Sequence, residues 1–218
     1  MVRLLGRRVE FDAASRDYPI RKLLGKTRKP RSYTWACNTW LDQGREGACV
    51  GYAFAHELIA RPVAIKKIND GDAYNIYKTA QTLDKWPGEA YDGTSVIAGV
   101  KAVQKIFPTA IVEYRWAFGL NDVLDTLGYF GPSILGINWF EGMYAPDERG
   151  YIHKTGRLVG GHAILAVGVD HKRQRVRLHN SWGPKWGMSG DCYLSFGDLD
   201  KLLKERGEAC VPVKRGKI

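Results

Sequence analysis

Four side chains, scattered along the sequence, have the types needed to break a carbonyl bond by covalent catalysis. Cys49 begins the stretch Cys49-Val50-Gly51-Tyr52-Ala53-Phe54-Ala55, which has the apolar periodicity of a helix. A thiol in the first turn of a helix feels the positive end of the helix dipole, which favours thiolate. A nucleophile needs a base, and the base needs a group that orients it. His162, in Gly160-Gly161-His162-Ala163, is the candidate base, and the glycines leave room for a substrate backbone beside the imidazole. Asn180, in His179-Asn180-Ser181-Trp182-Gly183, is the candidate orienter. Its amide oxygen can accept from one ring nitrogen and turn the other toward sulfur, with Trp182 covering the pair. Gln43, six residues before Cys49, can donate to a developing oxyanion alongside the Cys49 N–H. Taken singly each has a plainer reading: a small core thiol, a structural histidine, a turn asparagine, a loop glutamine.

These residues need elements to hold them. Val50, Phe54 and Leu58 form the buried stripe of a helix that begins near Cys49 and is closed by Pro62. A second helix runs from about Ser95 to Phe107, capped by Thr94 or Asp92 and ended by Pro108; a short third spans 121–128. Residues 133–139, 161–170, 174–181 and 191–196 read as strands. The first 36 residues have no clear periodicity and read as extended chain over the body. Helices first and antiparallel strands second make an α+β fold of two lobes with a cleft between them. A three-residue loop after Asp170 would pair Asp170 with Gln174 and put His162 and Asn180 on one face. An even-length loop separates them unless a bulge intervenes.

With these residues in place, the sequence resembles the papain-like cysteine peptidases. Three blocks carry the resemblance: Asp42-Gln43-Gly44-Arg45-Glu46-Gly47-Ala48-Cys49 with the helix after it, Gly161-His162-Ala163-Ile164-Leu165-Ala166-Val167-Gly168, and Asn180-Ser181-Trp182-Gly183 with Trp186-Gly187. The resemblance spans about residues 35–196. It implies a helical lobe over about 35–115 and a β lobe over about 116–210. It further implies Cys49 as nucleophile, His162 as base, Asn180 as orienter and Gln43 as oxyanion donor. Gly93 and Thr94, in Asp92-Gly93-Thr94-Ser95, resemble the wall that pairs with substrate backbone; Gly161 and Trp182 complete the implied substrate contacts. Arg16-Asp17-Tyr18-Pro19 resembles the N-terminal stretch of prokaryotic and viral members. Glu46 stands where eukaryotic members usually carry a half-cystine, and Val50 where a Trp is usual. A Cys192–Cys210 bond is an open alternative to free thiols. The implied reaction is peptide-bond hydrolysis with no metal or cofactor. The rival readings are a peptidoglycan-peptide hydrolase or transglutaminase-like thiol enzyme, and a non-catalytic virion or host-interaction protein that keeps the fold.

Composition agrees with a folded domain: 218 residues, 44% hydrophobic and 26% charged. No apolar run approaches the ~18 residues of a membrane span, and no secretory signal is evident. The expected setting is therefore cytoplasmic or virion-associated, for a monomer acting on polypeptide. Net charge is +10, all of it at the ends: +7 over residues 1–31 and +3 over the last eight. The simplest reading is solvated tails; contact with nucleic acid or another acidic polymer is the alternative. Residues 1–34 read as a basic strap, 35–218 as the catalytic domain and 211–218 as a basic tail. Ile20, Leu23 and Leu24 are its expected apolar anchors, packed outside the cleft, which leaves the chain active as synthesised.

Overall fold

The computed structural model describes residues 3–25, 28–88 and 90–214, with Lys214 described by its backbone alone. In chain order the elements are α1 (Ala13–Arg16), α2 (Arg21–Leu24), β1 (Tyr33–Thr34), α3 (Cys49–Ile59), α4 (Asp70–Gln81), α5 (Val96–Ile106) and β2 (Glu113–Trp116). There follow α6 (Leu120–Tyr129), β3 (Ser133–Phe140), β4 (Leu158–Asp170), β5 (Arg175–His179), β6 (Asp191–Ser195), α7 (Phe196–Lys204) and β7 (Glu208–Lys214). The antiparallel sheet has the order β2-β7-β3-β4-β5-β6, with β1 paired to β4. Val211 of β7 is buried, so the expected basic tail does not begin at 211; its residues Arg215 and Lys217 lie outside the described residues.

The sheet separates two cores. On one face Ala163, Leu165 and Val167 of β4 pack with Val50, Phe54, Ile76 and Val100 of α3, α4 and α5. On the other, Ile164, Ala166, Val176 and Leu178 pack with Leu127 of α6 and Leu199 of α7. Helices thus occur in both halves of the sequence, because each sheet face needs an apolar cover. Among the described residues no helix is long and apolar enough to cross a membrane.

Local chemistry explains the helix boundaries. The Ser95 hydroxyl accepts from the Ala98 N–H at 3.2 Å, so Ser95 caps α5 rather than Thr94 or Asp92. Ser195 caps α7 in the same way through Asp198 N–H, at 3.0 Å. The α4 helix starts with a reciprocal box: Asn69 Oδ1 accepts from Gly71 and Asp72 N–H, and Asp72 Oδ2 accepts from Asn69 N–H. Asn69→Ala is expected to lower stability by about 1 kcal/mol, read as a drop in the urea midpoint with an unchanged slope.

The β4–β5 turn differs from the three-residue loop expected. Asp170 pairs with Arg175, not Gln174, so the loop is the even-length 171–174. Left alone, that would put Asn180 on the wrong face. The register shifts between Ala166 and Gly168, so that Leu165 faces His179 and Ala166 faces Leu178. Val167 is the extra residue of this bulge, and its carbonyl accepts the Trp35 N–H at 2.8 Å. The bulge cancels the parity of the loop and returns Asn180 to the face of His162.

Part of the N-terminal segment packs as anticipated. Ile20 and Leu24 are buried in the core shared by α6 and β7, and Ile20 N–H donates to Trp116 O at 2.8 Å. Arg21 holds Asp122 and Asp125 of α6 at 2.7 and 2.9 Å. Leu23 is not an anchor; its side chain is exposed. Among the described residues no disulfide forms, and Cys192 and Cys210 belong to opposite cores, so they are not bonded to each other.

Candidate active site

Cys49 opens α3 and is fully buried. Its sulfur accepts the backbone N–H of Ala163 at 3.3 Å, so the thiol rests against the strand residue that follows His162. His162 Nε2 lies 2.8 Å from Asn180 Oδ1. An amide oxygen only accepts, so Nε2 carries the proton and a neutral imidazole has its lone pair on Nδ1. Nδ1 is buried and has no hydrogen-bond partner among the described residues. Asn180 Oδ1 also accepts from the Ser181 N–H at 2.9 Å, which fixes the amide.

Aromatic rings enclose this pair. Trp139 stands edge-on to His162 at 4.6 Å between centroids, and Trp182 lies 5.1 Å away. Tyr144 stacks on Trp182, and Trp186 closes its edge. Trp182 is nearly fully buried, so its ring serves as a cover rather than an open contact surface. Trp139 was not among the expected site residues. Its signal lies in the pairing of β3 with β4, where Ile137 faces His162 and Trp139 faces Gly160.

Gln43 is buried, and its amide is fully used. Oε1 accepts from the Ser181 hydroxyl at 2.6 Å, while Nε2 donates to Glu46 O at 2.7 Å and to Leu4 O at 3.2 Å. The Leu4 oxygen belongs to a backbone carbonyl in the cleft, the same species as the oxygen of a substrate carbonyl.

The N-terminal chain is what fills that cleft, contrary to a strap lying outside it. Thr94 N–H donates to Gly6 O, and Arg8 N–H donates to Thr94 O, both at 2.8 Å. Arg7 N–H donates to Gly161 O at 2.9 Å, so the room expected beside His162 is taken by this chain's own backbone. Gly93 has φ +88°, and a Cβ there would strike the Gly6 carbonyl. At one end Arg3 pairs with Asp42 and donates to Trp182 O at 3.0 Å. At the other, the Arg8 guanidinium sits 4.3 Å over the Tyr91 ring, and Glu10 accepts from the Ser95 hydroxyl at 2.5 Å.

This cover decides the protonation states. The dipole of α3 alone favours thiolate, but burial dominates and pushes the Cys49 thiol up to about 11. Hydrogen bonds from Ala163, Gly6 and Val50 and the charge of Arg7 pull in the other direction. Burial likewise lowers His162 to about 4, against the bond to Asn180. Around neutral pH the closed site holds a neutral thiol and a neutral imidazole, and no hydrogen bond joins the two. Among the described residues no group of three or more His, Cys, Asp or Glu side chains could hold a metal ion.

No family model matches the chain. A cathepsin B-like cysteine proteinase 4 of Caenorhabditis elegans is 25% identical over 166 residues, covering 70% of this chain and 46% of that protein. The chain therefore spans about half the length of this curated relative. Among solved structures, xylellain, a cysteine protease from Xylella fastidiosa, aligns with a TM-score of 0.74 at 19% identity, over 100% of this chain and 98% of that one. Digestive procathepsin L 3 of Tenebrio molitor larval midgut aligns with a TM-score of 0.62 at 17% identity, over 97% and 76%. At such identities the structural likeness establishes the fold, and the sequence match points the same way. The chain takes the α+β papain-like fold and resembles the papain-like cysteine peptidases.

Proposed function

We propose that the chain is a cysteine-type peptidase whose cleft is closed by its own residues 3–8. The observation that carries this reading is a stretch of polypeptide already laid across the thiol. It is hydrogen-bonded to Thr94 and Gly161 and has one carbonyl on the Gln43 amide. A cleft that binds backbone in this way suits a polypeptide substrate.

In the open site, His162 Nδ1 takes the Cys49 proton, which leaves thiolate beside imidazolium. The sulfur attacks the scissile carbonyl carbon, and the oxyanion is held by Gln43 Nε2 and the Cys49 N–H. His162 returns its proton to the leaving amine as the tetrahedral adduct collapses to a thioester. Water then attacks the thioester, with His162 as base, and releases acid and free thiol. Asn180 keeps the ring aimed throughout, and Trp139 and Trp182 keep water off that bond. Thr94 and Gly161 supply backbone hydrogen bonds, and Gly93, whose own N–H goes to the Tyr77 hydroxyl, supplies the space that lets a bound backbone approach.

The test is covalent labelling by a peptidyl electrophile, together with hydrolysis of casein. The expected result is a single adduct on Cys49 and cleavage lost in proportion to labelling. Labelling spread over all four cysteines, with casein intact even after the cleft is opened, would refute the peptidase reading. Gln43→Ala is expected to lower kcat by roughly 100-fold with a small change in KM. Loss of the Ser181 contact is followed separately as a change in melting temperature.

A further inference from the structure

A second thiol meets a group of charged side chains away from the cleft. Cys37 follows β1 and is the one cysteine of the four that is not fully buried. Its thiol donates to His56 O over a long 3.7 Å. The His179 ring is in contact with the same sulfur. His179 is a cation by geometry. Nδ1 lies 2.6 Å from Asp191 Oδ1 and Nε2 lies 3.1 Å from Thr39 O; both oxygens are acceptors, so both nitrogens carry protons. Burial alone would lower its pKa, but the bond to Asp191 and the Cys37 contact outweigh it and raise His179 to about 10. His56, edge-on at 4.4 Å between ring centroids, is pushed well below the ordinary histidine value by burial and by that charge. Arg177 Nε donates to Asp191 Oδ2 at 2.6 Å. One carboxylate thus stands between two cations, which leaves a surplus of positive charge beside the sulfur.

A small cavity of about 80 Å³ opens at this point, and Cys37, Val167, Arg177, His179 and Asp191 are among the residues that line it. It has room for a few waters or a molecule of that size. Pockets that enclose a ligand as large as a peptide are several times bigger, ~300 Å³ and above. The other thiols have no such opening. Cys49, Cys192 and Cys210 are fully buried, and burial pushes Cys192 well above the ordinary thiol value.

We propose that Cys37 is a second reactive thiol, a site of oxidation by hydrogen peroxide, with His179, Asp191 and Arg177 as its charge support. The proposal does not depend on the peptidase reading. Sulfur attacks as an anion, and a neighbouring cation favours that form. The Cys37 sulfur attacks one peroxide oxygen. An S–O bond forms, the O–O bond breaks, and the other oxygen leaves as hydroxide, which solvent protonates to water. Sulfur loses two electrons to the peroxide, and the product is the sulfenic acid. The size of the cavity selects a small oxidant over a bulky disulfide such as that of glutathione. In the closed chain the reactive cysteine is therefore Cys37, and Cys49 is shielded.

The test treats the full chain with hydrogen peroxide at pH 7 in the presence of dimedone, which traps a sulfenic acid as a thioether with loss of water. Peptide mapping is expected to place the adduct on Cys37, formed at least about 10-fold faster than on Cys192, Cys210 or free N-acetylcysteine. His179→Gln puts a neutral amide in place of the cation and should slow Cys37 by about 10-fold. Arg177→Gln removes charge from the rim instead and should slow it at least about twofold, so it decides the matter if the first variant fails to fold. Melting temperatures show which variants are folded. Glutathione disulfide, measured against N-acetylcysteine in the same way, should show no gain at Cys37. Absence of a Cys37 adduct on the folded chain, or a rate that neither substitution moves, overturns the proposal. An equal gain with glutathione disulfide also overturns it, because the thiol would then be open to any oxidant.

Discussion

Gly6→Val is expected to raise the alkylation rate of Cys49 at pH 7 by at least about 100-fold in the full-length chain. A Cβ on Gly6 would fall inside the Gly47 carbonyl, and no side-chain rotation relieves a clash with backbone. The segment must lift, losing the bonds from Thr94 N–H to Gly6 O and from Arg7 N–H to Gly161 O. Water then reaches the sulfur. Moving the thiol from about 11 to the ordinary free-cysteine value multiplies the thiolate fraction at pH 7 by ~100. Removal of the steric block, the α3 dipole and the neighbouring imidazole add to that. Iodoacetamide labelling with peptide mapping measures it, with fully buried Cys192 as internal reference. If Cys49 reacts no faster in a folded Gly6→Val chain, the segment is not what closes the site.

In the opened chain, His162→Ala and Cys49→Ala should each remove hydrolysis almost completely. The loss expected is on the order of a million-fold, as found for nucleophile–base pairs that act as one unit. The double variant should be no worse than either single one. Asn180→Ala should do less, because the amide orients the ring and carries no proton. It should also unsettle the tautomer, since Nε2 loses its 2.8 Å acceptor. Stopped assays on a fluorogenic peptide compare the variants. Additive losses from Cys49 and His162 would mean that the two groups work separately and would dismantle the mechanism.

The grouping of Cys49, His162 and Asn180 was readable because it is written in short local signatures. A helix beginning at a cysteine, a Gly-Gly-His strand entry and an Asn before a tryptophan each survive without knowledge of the fold. The α4 helix was just as local in origin, yet its cue, Asn69 facing Asp72 ahead of Ala73, Ile76, Tyr77 and Ala80, is a capping pattern easily passed over. The closed cleft was illegible for a different reason. Residues 3–8 have no periodicity, and their placement depends on partners about 40 to 200 positions away: Gln43, Thr94, Gly161 and Glu208. The same long-range cover reversed the protonation expected of Cys49, because desolvation outweighs a helix dipole once water is excluded. Ile20 and Leu24 did follow from their apolar character, while Leu23, one residue from Leu24, did not.

The Val167 bulge makes the turn and the His162–Asn180 pair into a single coupled register. A chain of this fold can shorten the 171–174 loop by one residue, or lose the extra residue at 167, but neither change is viable alone. Either one shifts the phase of β5 by half a pleat and turns Asn180 away from His162. Made together, the two deletions cancel like paired frameshifts and restore the alignment. Homologous chains should therefore vary in loop length only in step with the presence of the bulge. An engineer grafting a different hairpin here must count residues on both sides of the turn before choosing any of them.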